Sequence, residues 1–333
     1  MKKICIIKLG AKGDVVRTLS ILPKIKKVFP ESEITWITKD NTKELFYNNP
    51  HVDNVLSSDE NINDDFDILL SLDMDKEASD MALKINAKEK KGFFIDGEYP
   101  AAFNIGAEYY VNTFFDDELK KENNKTVQEM YFMASDLDYS NEHCPIFLSD
   151  EEKEIGENFK INNFVKDRKI VGIHIDSSSR WPSRFWTEDY VLDFVRLAKK
   201  ADFEIMLFGS PKKEGKMQKI IDVLYKDGIR VNTNNGYWND RQFFSLVNMC
   251  DMMITPDSFS MHVSLALKKP TITLFFCTSP YEIESYGILK KIVSSKLYDF
   301  FPQRMNEYSE ELVKSISPEE VLKAVAELED TNK

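Results

Sequence analysis

No two of the four cysteines, Cys5, Cys144, Cys250 and Cys277, stand close together, and no Cys-x-x-Cys occurs. The ligand spacing of a zinc site is therefore absent, and no bound metal is expected. Cys5, Cys250 and Cys277 lie in or beside apolar segments, where a thiol behaves as a small buried hydrophobe; a reducing cytosol suits them. The chain is also short of positive charge: 44 Lys and Arg against 56 Asp and Glu give a formal net charge of -12. That balance argues against nucleic acid, whose binding is dominated by basic contacts to phosphate. It says less about anionic small molecules, which a local cluster of Lys and Arg can hold. No apolar run approaches the ~20 residues that span a bilayer. The opening Met1-Lys2-Lys3-Ile4-Cys5-Ile6-Ile7-Lys8 is too short an apolar run for a signal peptide. The expectation is a cytoplasmic protein that at most sits on a membrane surface. Neither G-x-G-x-x-G nor Gly-Lys-Ser/Thr is present, which removes the dinucleotide fingerprint and the Walker loop.

What the chain does have is an α/β rhythm. Its 333 residues, 42% of them hydrophobic, suffice for two domains at ~100–200 residues each. Ile4–Lys8 reads as a buried strand, and Gly10 and Gly13 as brackets of a tight loop. Val15, Leu19, Leu22, Ile25 and Val28 then recur at helical spacing up to Pro30. Further strands are expected at Ile34–Ile37, Val52–Leu56, Ile68–Leu72 and Gly92–Ile95, with helices near Thr42–Tyr47, Lys76–Ile85 and Val127–Leu137. Asp116–Lys125 reads as charged and irregular; Glu151–Asp167 is again charged, contains one short helical pattern, and places a boundary near residue 160. Beyond it, strands are expected at Ile170–His174, Phe203–Phe208, Met252–Thr255 and Thr271–Phe275. Helices should run at Thr187–Lys199, Lys212–Tyr225, Asp240–Met249 and Phe259–Leu267. A last helix, Pro318–Leu328, has Ser317 to cap it. Alternating strands and helices imply parallel sheets covered on both faces, with ligands at the carboxyl ends of the strands. The divisions expected are a domain of residues 1–160, a second of 161–315, and a helix at 316–333 that can pack back on the first.

Three stretches could carry chemistry. Gly10-Ala11-Lys12-Gly13-Asp14 follows a strand and opens a helix, where free N–H groups attract anions. Asp14 can act there as a general base or simply cap the helix. Asp257-Ser258-Phe259-Ser260-Met261-His262 joins an apolar strand to a helix. It can hold a pyrophosphate, or be a cap followed by a core histidine. Asp176 to Trp186 follows the first strand of the second half. Its small hydroxyls and its arginines, Arg180 and Arg184, suit phosphate oxygens; the alternative is a solvated loop. Asp73-Met74-Asp75 and Lys88-Glu89-Lys90-Lys91 are read as an acidic turn and a solvated face.

Taken in order, these stretches resemble glycosyltransferase family 9, the bacterial heptosyltransferases. The loop motif is matched by Gly13-Asp14-Val15, with Arg17, Thr18 and Leu19 following, and a second strand by Glu33-Ile34-Thr35-Trp36-Ile37. The more specific block is matched by Asp257-Ser258 with His262, then Ala266-Leu267-Lys268-Lys269-Pro270, Thr278-Ser279-Pro280 and Tyr286-Gly287. The resemblance implies a GT-B architecture: two Rossmann-like domains with parallel sheets facing across a cleft, acceptor in the first and donor in the second. It implies an inverting transfer without a chelated metal or other cofactor. The donor would be a nucleotide-sugar, ADP-heptose above all, and the acceptor an anionic glycan or glycolipid such as lipopolysaccharide core. A place at the inner face of the inner membrane would follow.

The same resemblance implies roles. Asp14 would be the general base, with Gly13 on the acceptor side; Lys12 and Arg17, also read as acceptor-side, depart from the family by adding positive charge around the base. Arg184, with Arg180 as rival, would stabilise the leaving diphosphate. Ser177 or Ser178 would bind phosphate, and Asp257, Ser258, Phe259 and His262 would line the donor site. Glu214, after the turn at Gly209, would meet the ribose, and the base would pack near Tyr237 and Trp238. Phe259 departs from the family's Gly, and Phe276-Cys277 from its Gly-Pro pair. Other classes remain to be set against this one: a sugar-nucleotide epimerase or hydrolase, which needs no acceptor, and a non-catalytic nucleotide-sugar-binding protein.

Overall fold

A computed structural model of the chain describes residues 1–175, 180–210, 214–237 and 239–331. It divides into two compact units. The first comprises Met1–Phe147 with Tyr281–Glu284, the second Leu148–Pro280 with Ser285–Lys333.

The first unit is built on six strands: β1 (Lys3–Ile7), β2 (Glu33–Thr38), β3 (Asn54–Ser57), β4 (Phe66–Ser71), β5 (Ala87–Asp96) and β6 (Tyr99–Ala102). Their order is β3-β2-β1-β4-β5-β6. All neighbours are parallel except β5 and β6, which form a hairpin. The expected strands are all present, shifted by a few residues. The expected single helix after β1 is two, Lys12–Thr18 and Ile21–Val28. The hairpin and the helix Ile105–Asn112 carried no signal that periodicity could read. Lys88 to Lys91 lie within β5, where Lys88 and Glu89 are exposed and Lys90 and Lys91 half-buried. Lys88 and Lys91 pair with Asp67 and Asp136, and Lys90 donates to the carbonyls of Ala82 and Leu83.

The second unit repeats the plan with β7 (Ile170–His174), β8 (Glu204–Phe208), β9 (Asn232–Thr233), β10 (Met252–Pro256), β11 (Thr271–Phe275) and β12 (Leu289–Val293), in the order β12-β11-β10-β7-β8-β9, all parallel. Both sheets thus have the doubly wound order 3-2-1-4-5-6 of a Rossmann-like domain. Their strands are buried on both faces, which is why they read as continuous apolar runs.

Two boundaries differ from the sequence reading. The division falls at Phe147/Leu148, not near residue 160, because the helix Asp150–Asn163 packs on the helix Asp240–Met249. A Cβ added at Gly156 would come 2.4 Å from the Ser245 carbonyl oxygen, so only glycine allows this approach. The last helix, Pro318–Thr331, belongs to the second unit. Val321, Ala324 and Val325 complete its core beside Trp186, Phe194 and Val195.

Candidate functional site

In each sheet the chain reverses its winding between two central strands, β1 and β4 in the first, β7 and β10 in the second. Ligands of such sheets bind at the carboxyl ends of those strands.

At the end of β1, Asp73 organises the loop. Its Oδ2 accepts from the backbone N–H of Leu9 (2.9 Å) and Gly10 (2.6 Å), and its Oδ1 lies 3.4 Å from the Lys8 ammonium. Gly10 suits this approach, since a Cβ there would sit 3.1 Å from the Asp73 carboxylate and 3.2 Å from Lys8 Nζ, and those side chains would have to shift by a few tenths of an ångström. The second carboxylate of that acidic turn, Asp75, caps the helix Lys76–Lys84 through the N–H of Ala78. The motif thus serves the loop and the helix.

The helix Lys12–Thr18 starts from Ala11, which holds the N-cap position. Asp14 is therefore not the cap. It stands in the first turn and pairs through Oδ1 with Arg17 at 2.6 Å. Gly13 is buried inside the helix and does not bracket the loop. Lys12 is half-buried. The Arg17 side chain, expected on the acceptor side as added positive charge around Asp14, is only 13% exposed. Burial is the largest single effect and works against its charge, but Asp14, Tyr131, Tyr110 and Glu282 together outweigh it and hold the guanidinium above its ordinary range.

In the second unit, Asp257 follows β10 and Ser258 takes the N-cap of the helix Phe259–Ala266 without a side-chain capping bond. The Asp257 carboxylate pairs with Arg184 Nη2 at 3.1 Å, and both side chains are nearly buried. Arg184 also lies 4.1 Å over the Trp181 ring, whose other guanidinium neighbour is Arg180 at 4.8 Å. Of the two arginines, the structure brings Arg184 to Asp257. The segment is anchored by Phe185 and Trp186 in the core, by Trp186 Nε1 donating to the Ile316 carbonyl, and by Ser183 Oγ donating to that of Glu307.

Two further groups belong here, Cys277 and Thr278, which the sequence reading aligned with the family's motif without giving them a role. Cys277 is near enough to feel both Arg184 and Asp257; burial pushes its thiol up to about 11, the arginine opposing and the carboxylate adding to the rise. The Thr278 hydroxyl is buried, as is Arg184 Nε, and neither has a hydrogen-bond partner among the described residues. Buried polar groups are rarely left so, and such groups mark places for a ligand or water. The signal available for Thr278 was its position after a buried strand, beside the Ser279-Pro280 pair.

His262 is buried in the second turn of its helix. Phe259 packs its ring on Phe243 (6.1 Å, stacked) and Phe244 (6.1 Å, tilted). Gly209 exchanges two hydrogen bonds of 3.0 Å with the Asn234 side chain, a residue the sequence reading passed over. Glu214 begins the helix Glu214–Lys226 and is exposed. Lys216, one turn on, reaches the Ile175 carbonyl at the end of β7 (3.4 Å). Tyr237 stands edge-on to Phe159 at 5.4 Å. Ser177, Ser178 and Trp238 lie outside the described residues.

Two doubly wound domains in series, with a carboxylate at the first switch point and an Arg–Asp pair at the second, have polar groups where ligands of such sheets bind. The family model of glycosyltransferase family 9 (heptosyltransferase) matches residues 101–313, and the chain belongs to that family. It is a glycosyltransferase of GT-B architecture. A lipopolysaccharide heptosyltransferase 1 of Campylobacter coli is 23% identical over 98% of both chains. A lipopolysaccharide core heptosyltransferase of Haemophilus influenzae is 23% identical over 88% of this chain and 84% of its own. Among solved structures, a glycosyl transferase family 9 protein from Veillonella parvula superposes with a TM-score of 0.77 at 19% identity, covering 98% of this chain and 97% of that one.

Proposed function

We propose that the protein transfers heptose from ADP-heptose to a hydroxyl of a lipopolysaccharide core acceptor, with inversion at the anomeric carbon. Its relatives named as lipopolysaccharide heptosyltransferases support the donor and the acceptor. The observation that carries the chemistry is the Arg184–Asp257 pair with its buried, unpartnered Arg184 Nε and Thr278 hydroxyl. Oxygens of the donor diphosphate would satisfy both groups. A fixed guanidinium there stabilises negative charge as ADP departs. Asp257, Ser258 and His262 shape the same site, and Tyr237 and Glu214 serve the base and ribose. On the acceptor side Asp14 takes the hydroxyl proton as the oxygen attacks, a contribution of ~10²–10⁴-fold. Lys12 helps hold an anionic glycan. The acceptor, a glycolipid, brings the enzyme to the inner face of the inner membrane as a peripheral protein; among the described residues no helix is long and apolar enough to cross it.

The test is incubation with ADP-heptose and a core acceptor lacking the corresponding sugar. Mass spectrometry should show one heptose added, with ADP released. Release of ADP at the same rate without acceptor would make the protein a hydrolase. Asp14→Ala should lose transfer while calorimetry shows ADP still bound; transfer unchanged in that variant would remove Asp14 from the mechanism. Binding tighter to UDP- or GDP-sugars than to ADP-sugars would remove the donor assignment.

A further inference from the structure

Arg17 is an unusual neighbour for a base. Its guanidinium is one helical turn from Asp14, 2.6 Å away and largely buried. The surroundings are closed. Tyr110 and Tyr131 face it from the helices Ile105–Asn112 and Val127–Ala134, and Glu282 faces it from the segment Tyr281–Glu284. Lys8 lies over the Tyr131 ring at 5.3 Å with Asp73 beside it, and Lys12 shares the helix with Arg17. Burial raises both phenols, so they remain neutral and cannot balance the cation. Asp14 is its strongest counter-charge, ahead of Glu282. The main chain is pinned as well: Ser20 Oγ and Cys144 Sγ both donate to the Arg17 carbonyl, at 2.9 and 3.3 Å. Arg17 Nε has no partner among the described residues.

An arginine that gripped an anionic acceptor would reach solvent. A surface pair three residues apart on a helix would add only a few tenths of a kcal/mol, on the order of ~0.2–0.5. A buried guanidinium with an orphaned donor costs stability instead.

We infer that Arg17 is a positioning residue: it fixes the Asp14 carboxylate in one orientation and in its ionised form, ready for the acceptor. This rests on the reading of Asp14 as the base. In the step itself the acceptor O–H passes its proton to Asp14, its oxygen bonds the anomeric carbon, and the bond from that carbon to the diphosphate breaks, its electrons leaving with ADP. Arg17 touches none of these atoms. An opposite charge at this distance favours the carboxylate over the acid, so the base stays competent as pH falls.

The experiment compares Arg17→Met and Arg17→Lys with the wild type and Asp14→Asn, at saturating ADP-heptose and varied core acceptor. Arg17→Met should lower kcat by on the order of 10-fold or more, and move the acid limb of the kcat/KM profile up by about one pH unit or more. ADP affinity and the circular dichroism spectrum should be unchanged. Arg17→Lys, which restores charge without the fork, should recover part of kcat and return the limb toward its wild-type place. Should Arg17→Met not fold, the Arg17→Lys profile alone decides, since wild-type kcat with a raised acceptor KM would make Arg17 an acceptor contact and overturn the inference. Wild-type kcat and acid limb in Arg17→Met, with Asp14→Asn inactive, would overturn it too and leave the base assignment standing. Transfer retained by Asp14→Asn would bring down the base assignment itself.

Discussion

Phe259 shows how a single side chain can belong to the packing and to the site at once. It is the first residue of the helix Phe259–Ala266, yet its ring turns to Phe243 and Phe244, and Phe243 in turn meets Phe208 and His174 edge-on. Phe208 and His174 are the last residues of β8 and β7. The departure from glycine is thus tied to an aromatic cluster of this chain. Phe259→Ala should cost about 1–3 kcal/mol, less than the ~3–5 of a fully buried Phe because the ring is only half-buried. A denaturant titration checks this; an unchanged midpoint would mean the ring contributes nothing to packing. The motif around it was legible, since Asp257, Ser258 and His262 stand at fixed spacing in one stretch. The destination of the Phe259 ring was not, because its partners lie on other elements. The pairing of Arg184 with Asp257 was hidden for the same reason: 73 residues separate them.

At the scale of elements, the helix Asp150–Asn163 is the clearest difference from the sequence reading, which saw only a short helical pattern there and placed the domain boundary in it. Ser149 and Glu152 form a reciprocal capping box that starts it. Glu152 also binds Arg241 through two hydrogen bonds of 2.6 Å, fastening it to the helix Asp240–Met249. Ser149→Ala should cost about 1 kcal/mol, read as a lower unfolding midpoint; no change would show the cap to be idle. The Glu152 carboxyl is held below its usual range, first by the Arg241 hydrogen bonds, against the opposing effect of burial. A carboxyl depressed in the folded state stabilises above its unfolded value of about 4.3, and that support is lost as pH falls through the lower folded value. Wild type should therefore outlast Glu152→Gln in thermal melts near neutral pH, and the gap should close in acid. A gap that persisted in strong acid would exclude the ion pair as its source. Strands were the more legible elements. Ile170–His174 and Thr271–Phe275 are apolar throughout except for short polar residues and match their expected bounds. β5 was half hidden because its lysines satisfy their charge on Asp67 and Asp136, pairings that no periodicity announces.

For the molecule as a whole, all four thiols are buried. Burial pushes Cys5 far above the ordinary thiol range, Cys250 up to about 12 and Cys277 up to about 11. Because the thiolate is the reactive form, a disulfide reagent should label the native protein slowly and the unfolded protein at all four sites. One fast-reacting thiol in the native state would show that its site opens readily. The doubly wound plan of both domains was legible because the central strands, such as β1, β4, β7 and β10, are short, mostly apolar runs followed by helices. Where one domain ends was not, since contacts rather than composition decide it.

The segment Tyr281–Glu284 belongs to the first domain although its neighbours on both sides belong to the second. It is tied there by the Val127 N–H to the Glu282 carbonyl and by the Tyr139 hydroxyl to Glu284. Exchange of the second domain between relatives by a single crossover near Leu148 would therefore import a foreign strap into the first. A working chimera needs three junctions, with residues 281–284 kept from the parent that supplies the first 147. Inheritance of the two halves is linked by four residues.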